Sequence, residues 1–261
     1  MPIHKHAYPI LEYDTEPHGI IRPDRDGDAP LPAICVMTFF GEVLEAFVKT
    51  QNGIECGAYR SEMRDFPVYR LQYKGAELGV IQAAVGSASI ALMTDYLFGN
   101  GVRTLIACGG CGVLQHIPAG DVILPTAALR DEGASYHYLP PSREIALDTD
   151  MVQLLQATLE AQHIPYITCK TWTTDGFYRE TPDMVRYRKE EGCDTVEMEC
   201  ATMAAVARFR GVKFGQLLYS GDVLADADNY DERDWFANLS AREKLFALAL
   251  DAGVQWAHEK A

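Results

Sequence analysis

The chain reads as an α/β protein: a single three-layer domain whose central sheet is mixed, largely parallel and twisted, with helices on both faces. Three observations predict this. Short apolar segments of strand length alternate with longer amphipathic or Ala-rich segments from residue 33 onward, the mark of a sheet covered on both faces. At 261 residues and 48% hydrophobic content, the chain can bury one deep core. No linker, repeat or low-complexity stretch divides it, so residues 33–261 are expected to form the domain. Residues 1–32, rich in Pro, Asp, His and Gly, are expected to form an irregular N-terminal arm.

The elements follow in order. Residues 33–38 are a buried strand, and a helix runs from about Glu42 to Thr50. Residues 68–73, the Lys74-Gly75 pair and residues 77–84 read as a β-hairpin. A helix over 87–98 carries apolar residues at Ile90, Leu92, Met93 and Leu97. A buried strand over 103–108 runs into the glycine run Gly109-Gly110-Cys111-Gly112, and another strand covers 121–129. An amphipathic helix over 151–162 and a strand over 166–173 come next. Thr181-Pro182 opens a helix, because proline suits a first turn. A short strand entry at Thr195-Val196 delivers Glu197-Met198-Glu199 to an Ala-rich helix. The strand over 214–219 ends in Ser220-Gly221-Asp222, and a last helix starts near Ser240, where Ser240 and Glu243 fit a capping box.

Composition narrows the functional classes. A net charge of −14 argues against a general binder of phosphate backbones or anionic membranes, though a local basic group can still hold a small anion. No apolar run is long enough to span a membrane, and residues 1–14 lack the apolar core of a signal peptide. The seven cysteines are odd in number and scattered; Cys108 and Cys111 form a CxxC with no second CxxC or His pair to complete a zinc site. A reduced cytoplasmic setting without a metal is expected.

The polar residues cluster at predicted strand ends, where open α/β sheets bind ligands. Glu197, Glu199 and Asp222 reach that edge, and carboxylates there can grip sugar hydroxyls and stabilise developing positive charge. Each also has a plainer reading: acids at a helix start favour the macrodipole, and an Asp after a strand often closes a turn. The glycine run serves either close backbone packing or a wall against which a ligand sits. Ser87, after Val85-Gly86, is either an N-cap or part of an anion site with free backbone donors.

Taken together, these segments resemble the nucleoside phosphorylase/nucleosidase superfamily over about residues 18–235. The resemblance implies a phosphorylase-like fold and cleavage of the N-glycosidic bond of nucleosides, with phosphate as co-substrate and no cofactor. It implies that Met198 and Glu199 bind ribose and that His18, in His18-Gly19-Ile20-Ile21-Arg22-Pro23, reaches the ribose of a neighbouring subunit. In Thr173-Thr174-Asp175-Gly176-Phe177-Tyr178, Phe177 takes the base-stacking position. Glu197 joins the base site, and Asp222 takes the place of the acid that serves purine N7. Residues 127–138 and Met63-Arg64-Asp65-Phe66 lean toward the uridine phosphorylase branch; the base-facing residues lean toward a purine. Arg64, Gly86, Ser87 and Gly110 take phosphate-binding positions, with Arg64 crossing a dimer interface. A homodimer, or a hexamer built from dimers, is therefore expected.

Phosphate is where this sequence departs from the pattern. Glu45 stands where phosphorylases carry an Arg after the first strand, Ala107 stands at a second Arg position, and Gly110 replaces a Ser or Thr. Arg22, Arg60 and Arg70 are the candidates for a substitute. Glu42 resembles the Glu with which nucleosidases activate water, and is otherwise an exposed acid in a first helical turn. The expected reaction is phosphorolysis, with hydrolysis through Glu42 and non-catalytic nucleoside binding as alternatives.

Overall fold

The computed structural model describes residues 3–24, 29–226 and 230–260. Its strands are β1 (Ile34–Thr38), β2 (Ile54–Arg60), β3 (Asp65–Tyr73), β4 (Ala76–Gln82), β5 (Thr104–Val113), β6 (Val122–Asp131), β7 (Glu144–Ala146), β8 (Tyr166–Thr174), β9 (Cys193–Glu197) and β10 (Lys213–Val223). The helices are α1 (Gly41–Thr50), α2 (Ser87–Gly99), α3 (Thr149–Ala161), α4 (Pro182–Glu190), α5 (Cys200–Arg210) and α6 (Leu239–Lys260). The strands join in one sheet in the order β10-β6-β8-β9-β5-β1-β4-β3-β2, with β7 on β6 and a further β10–β5 pairing.

Parallel pairing carries the centre: β1 with β4 and β5, and β10 with β5. The β6-β8-β9 run is parallel too. Antiparallel pairing enters at the β3–β4 hairpin, at β2 on its edge, and where β9 and β10 cross to β5 and β6. The hairpin turn holds Lys74 at φ 49° and Gly75 at φ 85°, a left-handed pair that glycine tolerates best.

The buried strand residues point alternately to two cores. One packs Met37, Ile81, Leu105 and Phe214 against α2 and α5. The other packs Val36, Leu78, Ile106 and Leu217 against α3 and α6. Helices α2 and α5 are apolar on most sides because they lie between the sheet and each other, so a one-faced pattern is weak in them. Among the described residues no helix is long and apolar enough to cross a membrane.

Four local expectations need correcting. Strand β5 does not stop at Cys108; it runs through the glycine run to Val113. The N-cap of α2 is Gly86, at φ 92°, rather than Ser87. The α6 start is served by Asn238, whose Oδ1 accepts from the Ala241 N–H at 3.3 Å, so the Ser240/Glu243 box does not form the cap. Strand β2 was not expected: it is an edge strand with a half-exposed burial pattern and no clean alternation. Thr181, in contrast, caps α4 as its sequence predicts, with Pro182 in the first turn.

The described residues before β1 are irregular apart from a short 3-10 turn at Pro9–Leu11. It is tied to the body at its carbonyls: Arg210 donates to Pro17 O at 2.6 Å and Asn100 to Pro23 O at 2.9 Å. Residues 1–2 and 25–28 of the expected arm lie outside the described residues.

Candidate active site

Strand ends from distant parts of the chain meet at one sheet edge. After β1, Phe39 and Phe40 turn the chain into α1 and bring Glu42 forward. Gln82 ends β4, Gly110–Gly112 lie in β5, Glu197 ends β9, and Tyr219–Asp222 lie in β10. A cavity of about 400 Å³ opens among them, lined also by Phe177, Glu180, Trp235 and Arg242. It brings together seven of the residues singled out in the sequence: Glu42, Gly110, Phe177, Glu197, Met198, Glu199 and Asp222.

Helix α5 starts without a capping side chain of its own. Glu197 supplies the cap: its Oε2 accepts from the backbone N–H groups of Glu199 at 2.7 Å and Cys200 at 2.6 Å. Its Oε1 accepts from Thr173 Oγ1 at 2.5 Å. Both oxygens are thus engaged inside the protein. Glu197 thereby positions Glu199 while also lining the cavity. The next acid, Glu199, is buried and accepts the Gly86 N–H on Oε1 at 2.6 Å. Burial pushes both carboxyls well up, with Glu132 adding to the rise at Glu197 and Glu197 to that at Glu199, while the hydrogen bonds they accept pull back.

The Gly86 N–H, an expected phosphate donor, is taken up by Glu199. Ser87 is likewise engaged: its Oγ donates to Asp175 Oδ1, and Asp175 Oδ2 accepts the Gly133 N–H at 2.8 Å. Together these bonds tie the β4–α2 and β8–α4 loops to each other and to Glu199.

At the opposite end, Asp222 Oδ2 accepts from the Tyr230 hydroxyl at 3.0 Å. Burial raises the Asp222 carboxyl above its ordinary range, with Tyr230 and Arg233 opposing. Glu180 was not singled out in the sequence, yet it faces the same end. Burial, with help from the Asp222 charge, pushes it up to about 8. Its position just after Phe177-Tyr178-Arg179 is the signal that could have found it. Phe177 is half exposed at the mouth and meets Tyr178 edge to face, ring centroids 5.1 Å apart.

The glycine run is shaped by its neighbours. A Cβ on Gly112 would come within 2.7 Å of Leu224 Cδ1, 3.0 Å of Val196 Cγ1 and 3.2 Å of Asp222 Oδ1. Gly110 faces the Tyr219 ring in the same way, at 3.2 Å or more. Packing and wall are the same feature here. Cys108 is buried within β5, and burial pushes its thiol up to about 12, so it is not a reactive thiolate.

Four expected residues are not among those lining the cavity: Gly86 and Ser87, engaged as above, and His18 and Arg64. His18 is exposed and meets Glu16 at 3.3 Å. Arg64 is exposed and sits over the Phe66 ring, but its Nη2 donates at 2.5 Å to Oε1 of Gln82, a cavity residue. The suggested substitutes are occupied elsewhere: Arg60 lies 3.8 Å from Asp65, and Arg70 holds Pro30 O at 2.7 Å. Arg22 is not a lining residue either. Among the described residues the lining cation is Arg242, from α6, which meets Glu42 Oε1 at 2.5 Å. Nothing near Ser240 in the sequence marks it as a site residue.

This arrangement suits a ligand with a hydroxyl-rich middle, a flat ring at one end and an anion at the other. The phosphorylase superfamily model matches residues 33–252. The chain belongs to that superfamily. It is 29% identical over 182 residues to the guanosine phosphorylase of Halorubrum lacusprofundi, covering 66% of this chain and 74% of that protein. It is 26% identical over 213 residues to the uridine phosphorylase of Thermococcus kodakarensis, covering 76% and 74% of the two chains. The crystal structure of purine nucleoside phosphorylase from Toxoplasma gondii in complex with immucillin-H superposes with a TM-score of 0.77 at 20% identity, covering 90% of this chain and 94% of that one. This superfamily member therefore has the mixed α/β fold that the sequence predicts.

Proposed function

We propose that this protein cleaves the N-glycosidic bond of nucleosides, purine nucleosides first, with inorganic phosphate as nucleophile and no cofactor. One observation carries the reading: Met198, Glu199, Phe177 and Asp222 line a single cavity although they come from three separate segments. Bond cleavage builds positive charge on the sugar and negative charge on the departing base, as in glycoside hydrolysis. Glu199, fixed by Gly86 and Glu197, grips the ribose hydroxyls and faces the developing cation. Met198 packs on the sugar. Asp222, which burial helps keep protonated, gives its proton to purine N7 as the bond breaks. Phe177 covers the base.

The Halorubrum lacusprofundi relative supports a purine, and so does an acid at position 222. His18 and Arg64 lie outside their own chain's cavity, which fits a homodimer whose subunits complete each other's sites. A cytoplasmic setting suits the free, largely buried cysteines.

A second reading is hydrolysis. Glu42 lines the cavity, and the arginines expected beside phosphate are replaced by Glu45 and Ala107. Incubation with inosine, guanosine, adenosine and uridine, with and without phosphate, separates the cases. Ribose-1-phosphate is expected. Free ribose in both conditions would establish the hydrolytic reading, and nucleoside binding without product would end both.

A further inference from the structure

The strongest feature outside the sequence expectations is the ion pair between α6 and the start of α1. Arg242 is 7% exposed, so its guanidinium has lost most of its water. Groups besides Glu42 help hold it in place. Nη2 donates to Trp235 O at 3.3 Å, Nε reaches Tyr219 Oη at 3.5 Å, and the Phe40 ring lies 5.3 Å away. Glu42 is held differently: its side chain is 51% exposed. The pair is therefore asymmetric, a fixed buried cation with a half-solvated anion. Such a pair can exchange its anion, because Glu42 regains water when it leaves while Arg242 stays buried and must keep a negative partner.

The cavity's lining makes this cation decisive. Its other ionisable side chains include the acids Glu42, Glu180, Glu197, Glu199 and Asp222, which offer an anion no positive charge. A dianion entering such a site needs the charge-assisted hydrogen bonds of a guanidinium. Arg242 stands beside Glu42, at the start of α1.

We propose that Arg242 forms the phosphate subsite of this protein by exchanging its ion pair with Glu42 for one with the incoming dianion. This deepens, and rests on, the phosphorolytic reading. Glu42 acts as the resident anion that keeps the guanidinium charged and oriented until phosphate arrives.

Phosphate binding measured without nucleoside tests this independently of turnover. Isothermal titration and phosphate-induced shifts of the melting temperature are read for the wild type, Arg242→Gln, Arg242→Lys and Glu42→Gln. Arg242→Gln should lose at least tenfold in phosphate affinity, Arg242→Lys should lose less, and Glu42→Gln should gain severalfold because the competitor has gone. In turnover, the phosphate KM of Arg242→Lys should rise while its nucleoside KM stays put. Wild-type phosphate affinity in folded Arg242→Gln would overturn the proposal. If that variant does not fold, unchanged phosphate affinity in Glu42→Gln overturns it. Phosphate-independent release of free ribose, with no phosphate binding by the wild type, would instead overturn the phosphorolytic reading and this subsite with it. Phosphate-dependent turnover that ignores position 242 would overturn the subsite alone.

Discussion

Replacing Asp222 by Asn separates two roles that the site geometry allows this side chain. As a proton donor, Asp222 would contribute what general acids usually do, about 10²–10⁴-fold in rate. That is about 2.7–5.4 kcal/mol of barrier. As a hydrogen-bonding group only, it would contribute about 0.5–1.5 kcal/mol, roughly tenfold at most, and an amide N–H could replace much of that. The substitution disturbs little else. The amide oxygen can still accept from Tyr230 Oη, now 3.0 Å from Oδ2, and a neutral group suits a site where burial already disfavours the charge. The melting temperature should therefore stay level or rise slightly while kcat for inosine falls by two to four decades. A nucleoside already methylated at N7 carries its positive charge before cleavage and should lose far less. Stopped-time product analysis with both substrates reads the difference. An Asn variant within tenfold of the parent, or an equal loss on the N7-methylated substrate, would refute the proton-transfer role.

Two further outcomes follow from the same site. Glu180, raised from 4.5 to about 8, holds a proton at neutrality, so its contribution to stability is complete below about pH 4.5 and is lost as pH rises through about 8. Melting temperature should therefore fall across that window, and Glu180→Gln should flatten the fall; an unchanged slope would show that Glu180 does not titrate there. Gly112→Ala forces a Cβ against Val196 and the tip of Leu224 and crowds Asp222, so about 1–3 kcal/mol of stability and much of the activity should go, as a denaturation midpoint and kcat would show.

The signals legible in the sequence were local ones. The Lys74-Gly75 turn, the Thr181-Pro182 helix start and the alternating apolar runs each depend on residues a few positions apart, which is how backbone preference and side-chain periodicity act. The strand-end groups Glu197-Met198-Glu199 and Asp222 were legible for a related reason, since parallel strands deliver their ends to one edge. Where a neighbour competes, local signals mislead. Ser87 looks like a cap, but Asp175 claims its hydroxyl and Gly86 takes the cap position with a positive φ. Glu197 reads as a ligand and lines the cavity, while the open N-terminus of α5 also claims its carboxylate.

By itself, then, the amino-acid order determined the α/β alternation, the hairpin and which segments end in carboxylates, because those rest on short-range sterics and the burial of apolar faces. Only the folded chain decided what each acid does. Glu42 meets Arg242 across 200 positions, and Gly86 meets Glu199 across 113. Glu180 and Asp222 acquire their raised proton affinity from burial, Glu180 also from the Asp222 charge. Desolvation and charge–charge coupling depend on distance in space, and distance in space is set by packing the whole sheet.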